Sequence, residues 1–160
     1  MSSKRVAIIG AGIGGITACR YALENGLEPV VFEKADSIGG LWGANSTAVW
    51  DGLRINVTYY TDMISDFPWP KDTVMFPTGK QVHEYFVSYC NHFGLNKYFN
   101  LKHKVESVKQ MEDKKWKVDV VNLKTSENKS QIFDFLIVAS GRHSGMHFLL
   151  FFTISRIVNY

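Results

Sequence analysis

The chain has 160 residues and 18.2 kDa, one domain of ordinary size, and its 46% hydrophobic and 21% charged residues exclude a disordered or fibrous chain. The 18 Lys and Arg against 15 Asp and Glu give +3, spread along the chain rather than gathered into a basic block, so nucleic acid is not an indicated partner. Cys19 and Cys90 form neither a CxxC pair nor a disulfide framework, which points to a reducing compartment, and no stretch reaches the roughly 18 apolar residues of a membrane span.

Lys4 and Arg5 ahead of the apolar run Val6 to Ala18 mimic a secretory signal, but Gly10, Gly12, Gly14 and Gly15 interrupt the run with poor helix formers. The sequons at Asn45, Asn56 and Asn128 are then chance matches. Val6 to Ile9 is instead an unbroken run of mostly β-branched residues ending in glycine, as in a parallel strand buried on both faces. Ile16, Cys19, Ala22 and Leu23 follow at helical spacing, with Gly26 where a helix C-terminal cap belongs. Pro29 to Phe32 predicts a second buried strand ending at Glu33, which completes β-α-β.

Residues 34–78 hold three of the four prolines and three of the four tryptophans without clean periodicity, which predicts loop with one or two short helical turns. Thr78 and Gln81 have the spacing of a capping box. Val82, Tyr85, Phe86, Tyr89, Cys90 and Phe93 then mark one apolar helix face that stops at Gly94. From Leu101 the pattern alternates: Val105 and Val108, then Trp116, Val118 and Val120, then Ile132 and Phe133, separated by polar stretches at 112–113 and 126–129. That predicts a small antiparallel meander. Phe135 to Ala139 predicts a further buried strand ending in Ser140-Gly141.

Gly10-Ala11-Gly12-Ile13-Gly14-Gly15 contains G-x-G-x-x-G after a predicted strand and at the start of a predicted helix, the context that makes the motif a dinucleotide site. Gly10 permits the tight turn, Gly12 the approach of a pyrophosphate and Gly15 close helix-to-strand packing, while the helix N-terminus offers unpaired N–H groups to the anion. Glu33 lies 18 residues beyond Gly15, where a carboxylate accepts hydrogen bonds from ribose hydroxyls and repels a 2′-phosphate. This favours FAD or NAD over NADP and leaves the choice between the first two open.

The sequence from Val6 to Trp42, with Glu33-Lys34 leading into Ile38-Gly39-Gly40-Leu41-Trp42, resembles the start of the flavin-containing monooxygenases and their E-K-x4-G-G-L-W segment. Leu53-Arg54-Ile55-Asn56, Asp66-Phe67-Pro68-Trp69-Pro70 and Ala139-Ser140-Gly141 resemble that family's L-x-x-N, D-F-P-x-P and A-T-G elements, the last with Ser for Thr. The resemblance covers about residues 4–144. It implies an α/β, Rossmann-like FAD-binding domain with a parallel sheet and a small antiparallel meander, incomplete because the family's NADPH-binding dinucleotide fold has no counterpart here.

By the same resemblance Gly10, Ala11, Gly12, Ile13, Gly14, Gly15, Glu33, Gly40, Leu41, Trp42 and Ala139 line the FAD site, and the Val105 backbone meets the adenine. Asn56, the implied catalytic residue, matches an asparagine placed near the flavin ring and the nicotinamide, where its amide can hydrogen-bond near the oxygen-reactive centre. The bland alternatives are a turn residue satisfying its own backbone for Asn56 and simple core packing for Trp42. The implied activity is an FAD- and NADPH-dependent monooxygenase acting on soft nitrogen or sulfur nucleophiles, such as small amines or thioethers. A non-catalytic FAD-binding fragment and an NAD-binding Rossmann domain are the alternatives. The implied location is the cytoplasm, or the cytosolic face of the endoplasmic reticulum where a longer form carries an anchor.

The remaining constellations are weak. His83-Glu84 opens like a zinc-protease H-E-x-x-H, but the closing position is Val87; His143 and His147 have no carboxylate or thiol near them in sequence; and no C-x4-C follows Gly40. No metal is expected. Residues 1–144 are expected to form the partial FAD-binding domain. Residues 145–160, an apolar stretch that departs from the family pattern, are expected to be foreign to it, the mark of a truncated product.

Overall fold

In the computed structural model, which describes residues 3–141, the elements run β1 (Arg5–Ile9), α1 (Ile13–Glu24), β2 (Glu28–Glu33), a 3-10 turn (Gly40–Trp42), α2 (Gly79–His92), a second 3-10 turn (Asn96–Tyr98), β3 (Phe99–Leu101), β4 (His103–Gln110), β5 (Trp116–Asn122), β6 (Asn128–Phe133) and β7 (Phe135–Val138). The expectations for His143, His147 and residues 145–160 lie outside the described residues.

β1 is buried because both of its faces are covered. Val6 and Ile8 enter one core with Ile16, Cys19, Val82 and Tyr89 beneath α1 and α2, while Ala7 and Ile9 enter a second core with Phe32, Val118 and Phe133. The strands form a parallel sheet in the order β3-β2-β1-β7, with Ala7 opposite both Val30 and Leu136. A separate antiparallel sheet, β4-β5-β6, lies over the face away from the helices. The expected βαβ unit and meander are therefore present.

α1 and α2 end alike. Leu27 donates to the Ala22 carbonyl and Gly26 to Leu23, as Leu95 donates to Cys90 and Gly94 to Asn91, the bond pair that closes a helix at a left-handed glycine. At the start of α2, Thr78 and Gln81 form the expected capping box. The 3-10 turn at Gly40–Trp42 is the short helical turn expected within the irregular segment.

Three details differ from expectation. β3 has only three residues, too few to show a period, and its place is fixed by pairing Val31, Phe32 and Glu33 with Phe99, Asn100 and Leu101. β6 begins at Asn128, inside the polar stretch read as a turn, because its partner β5 pairs as far as Val121 opposite Asn128. β7 is not a buried strand: Phe135 is 42% and Val138 50% exposed, since among the described residues β1 is its only neighbour in the sheet. No helix of the described residues is long and apolar enough to cross a membrane.

Candidate functional site at the carboxyl end of β1

The parallel order places β1 between β2 and β7, so a crevice opens where the chain turns from β1 into α1, the position at which open α/β sheets hold ligands. The turn is held by backbone bonds on every side. Gly10 donates to the Phe32 carbonyl at 2.8 Å, Ala139 donates to Ile9 at 2.8 Å, and Gly39 donates to Ala11 at 2.8 Å. Three segments far apart in sequence thus converge on residues 9–11.

Gly15 is required sterically. A Cβ there would lie 1.9 Å from the Gly10 carbonyl oxygen, inside the backbone that forms the turn. Gly40 packs as tightly from the other side, where a Cβ would come within 2.9 Å of the Gly12 Cα. Ala139 closes the third side, its carbonyl against Gly10 and its methyl facing Gly14 and Gly15.

The donors at this turn are unused. The cap of α1 is Gly12, which has no side chain to cap the helix, and the N–H groups of Gly12, Ile13, Gly14 and Gly15 have no acceptor among the described residues. Ile13 and Gly14 are exposed, so an anion can reach these amides, and the helix dipole favours its charge.

Glu33 is 8% exposed, and its carboxylate is oriented by the backbone: Oε2 accepts the Ala11 N–H and Oε1 the Ala35 N–H, each at 2.8 Å. Each oxygen keeps capacity for a further donor, as acceptance of two ribose hydroxyls requires. The donor set of free amides beside an oriented carboxylate fits an adenosine diphosphate group, the shared part of FAD and NAD. The Ala11 to Glu33 bond is invisible to spacing arguments, which locate the acid but not the direction of its side chain.

The remaining expected residues divide. Leu41 is 52% exposed on the 3-10 turn; Trp42 is half-buried, packed against the first core, with its ring 3.4 Å from the Cβ site of Gly79. Val105 is a core residue, opposite Val120 in the antiparallel sheet and packed in the cluster that holds Phe32, the residue before Glu33.

Asn56 is exposed and its amide makes no hydrogen bond among the described residues, so it does not satisfy its own backbone as a turn residue does. Its position is set by neighbours on both sides: Ile55 donates to the Pro77 carbonyl and Tyr59 to Met75, while Gly79 donates to Leu53. The chain around Asn56 therefore runs beside the residues leading into α2.

Neither cysteine offers a nucleophile, because burial pushes the thiols of Cys19 and Cys90 up to about 12. Across the meander the Ser107 and Ser130 hydroxyls donate to Asp119 and hold its carboxyl down at about 2, a surface arrangement remote from the turn in sequence.

A model of the family described as flavin-binding monooxygenase-like matches residues 3–152. Flavin-containing monooxygenase 5 of Oryctolagus cuniculus is 37% identical over 157 residues, covering 92% of this chain and 29% of that protein, so the chain spans about 29% of the length of such a relative. Among solved structures, the S-allyl-L-cysteine S-oxygenase from Allium sativum superposes with a TM-score of 0.79 at 23% identity, covering 88% of this chain and 37% of the other. A cyclohexanone monooxygenase from Rhodococcus sp. Phi1 bound to NADP+ superposes with a TM-score of 0.72 at 26% identity, covering 88% and 27%.

Proposed function

The chain belongs to the flavin-binding monooxygenase-like family, and on that premise we propose that it is the FAD-binding part of an FAD- and NADPH-dependent monooxygenase that oxygenates soft nitrogen or sulfur nucleophiles. The observation that supports this reading best is the convergence of four free amides, an oriented carboxylate and the Gly39–Trp42 turn on one end of β1.

In this proposal the N–H groups of Gly12 to Gly15 bind the pyrophosphate, Gly10 and Ala11 shape the turn, and Glu33 accepts the ribose hydroxyls. Val105 borders the adenine. Gly40, Leu41 and Trp42 border the flavin end, Ala139 closes the turn from the β7 side, and Asn56 presents its free amide toward the ring. FAD held there would supply the redox chemistry, with NADPH as reductant and oxygen as co-substrate.

These 160 residues contain a single G-x-G-x-x-G turn, which supports a narrower statement: alone they bind flavin but do not turn over with NADPH. The binding unit in this proposal is residues 1–144. The location that goes with the reading is the cytoplasm, or the cytosolic face of the endoplasmic reticulum for a form carrying an anchor.

The experiment is the visible spectrum of the purified 160-residue chain after incubation with FAD, followed by stopped-flow mixing with NADPH. A bound flavin spectrum that NADPH leaves oxidised is the expected result. A protein that binds NAD and not FAD overturns the flavin assignment, and NADPH-dependent oxygenation of a thioether overturns the statement that the chain is inactive alone.

A further inference from the structure

One face of α2 bears on the turn that carries Gly40, Leu41 and Trp42. Gly79 and His83, one helical turn apart, occupy that face. The Trp42 ring lies over Gly79, and the imidazole of His83 lies against Gly39, with Nδ1 3.1 Å from the position a Cβ would take. That nitrogen is buried and has no hydrogen-bond partner among the described residues, so packing, not a hydrogen bond through Nδ1, sets the ring against the turn.

Gly39 has φ +108 and no side chain, the only form in which the backbone fits between His83 and the Gly43 amide, also 3.1 Å from the Cβ site. Gly39 and Gly40 also meet the turn after β1, at Ala11 and Gly12, but that turn is held independently by the Gly10 to Phe32 and Ala139 to Ile9 bonds, so a displacement of the Gly39–Trp42 turn falls on its flavin end. His83 also lines a solvent-open cleft of about 280 Å³ with Ser37, Ile38, Val87 and Leu101, so removal of the ring widens that cleft and leaves the turn without this contact.

We propose that His83 is a positioning residue for flavin binding: its ring is the stop against which the Gly39–Trp42 turn seats, and it sets how closely that turn approaches the flavin end of the cofactor. The inference rests on the FAD-binding reading. It goes beyond that reading by assigning a role to a residue of α2 outside the glycine turn and the acid, one whose sequence context only mimicked a zinc motif.

Glu33 and the amides of α1 hold the adenosine diphosphate part without touching His83, which makes the proposal testable by comparing two ligands. FAD and ADP dissociation constants are measured on the full chain for wild type, His83→Ala and His83→Phe, with ligand-free melting as a check of folding. His83→Ala is expected to weaken FAD by about tenfold and leave ADP within about twofold. His83→Phe keeps a flat ring at that position and is expected to hold FAD within about threefold of wild type. FAD affinity unchanged in His83→Ala, parallel loss of FAD and ADP, or a loss in His83→Phe as large as in His83→Ala overturns the role of the ring. Wild type that binds ADP but not FAD overturns the flavin reading itself, and the proposal with it.

Discussion

The βαβ unit of residues 5–33 and the irregular segment of residues 43–77 both supply residues to the candidate site, but they are built differently. In the first, the backbone holds the geometry: strands in register, a turn closed by the Gly10 to Phe32 and Gly39 to Ala11 bonds, and side chains small enough to let main chain touch main chain. In the second, side-chain anchors supplement a few backbone bonds such as Ile55 to Pro77 and Tyr59 to Met75. The Tyr85 hydroxyl of α2 accepts the Ile64 N–H at 2.9 Å and donates to the Phe67 carbonyl, while the Trp69 ring stacks on Tyr85 with centroids 4.1 Å apart and planes 7° from parallel. Trp69 Nε1 in turn donates to the Asp62 carbonyl.

The remainder of that segment is open, with Trp50 68% and Tyr60 64% exposed. The contrast teaches that rigidity comes from two sources here. The glycine turn has no room for a Cβ at Gly10, Gly15 or Gly40. The loop is pinned at separate points, by the aromatic rings on Tyr85, by buried Ile55 and Pro77 and by the bonds of Ile55 and Tyr59 to the chain entering α2.

The sharpest way to break the comparison is Gly15→Ala. The new methyl collides with the Gly10 carbonyl, which is main chain and has three bonded segments around it, so relief requires moving β1 away from α1. The expected loss exceeds about 4 kcal/mol, enough that the variant is recovered unfolded or with no cooperative melting transition. A variant that melts within a few degrees of wild type would show that the turn yields more readily than its packing indicates.

Tyr85→Phe tests the other half. It keeps the ring stack with Trp69 and removes only the hydroxyl, leaving the Ile64 N–H and the Phe67 carbonyl without their shared partner. The expected cost is about 1–3 kcal/mol. Hydrogen exchange should rise across residues 57–70 and stay unchanged across β1 and β2, because no bond of the βαβ unit passes through that hydroxyl. Uniform loss of protection over the whole chain would mean that the two regions open as one.

The same division explains what could be read from the amino-acid order. β1, α1 and β2 are legible because an unbroken apolar run, a helical period and a glycine each have one local meaning, and Thr78 with Gln81 marks the start of α2 for the same reason. The site is legible only in part. Spacing locates Glu33, yet its bonds to Ala11 and Ala35 depend on how two turns meet in space.

Ala139 reaches Gly10 across more than a hundred residues, a contact that only the position of β7 beside β1 creates. β7 has the composition of a buried strand and is half-exposed, since burial belongs to the neighbours and not to the strand. His83 carries no local signal at all: its packing against Gly39 is set by the crossing of α2 over the turn.

The smallest expected effect comes from Asp62, in the irregular segment. Asp62 is exposed as a residue, and the desolvation of its carboxyl by neighbouring atoms raises it only modestly above the ordinary 3.8, an effect that solvent screening keeps small. The folded state therefore binds the proton more tightly than the unfolded chain, and the resulting stability is fully present below pH 3.8 and lost as pH rises through the higher folded value. At neutral pH the carboxylate is held partly dry at a cost that an amide of the same shape avoids.

Asp62→Asn should accordingly melt slightly higher than wild type at pH 7, the difference shrinking as pH falls through the carboxylate range toward 3.8. The Trp69 bond is unaffected, because it uses the Asp62 carbonyl and not its side chain. Melting curves of the two proteins at pH 7, 5 and 4 decide it. A variant less stable at neutral pH, or a difference that does not change with pH, would mean that the Asp62 carboxylate takes part in holding the loop, and belongs among the anchors of this region.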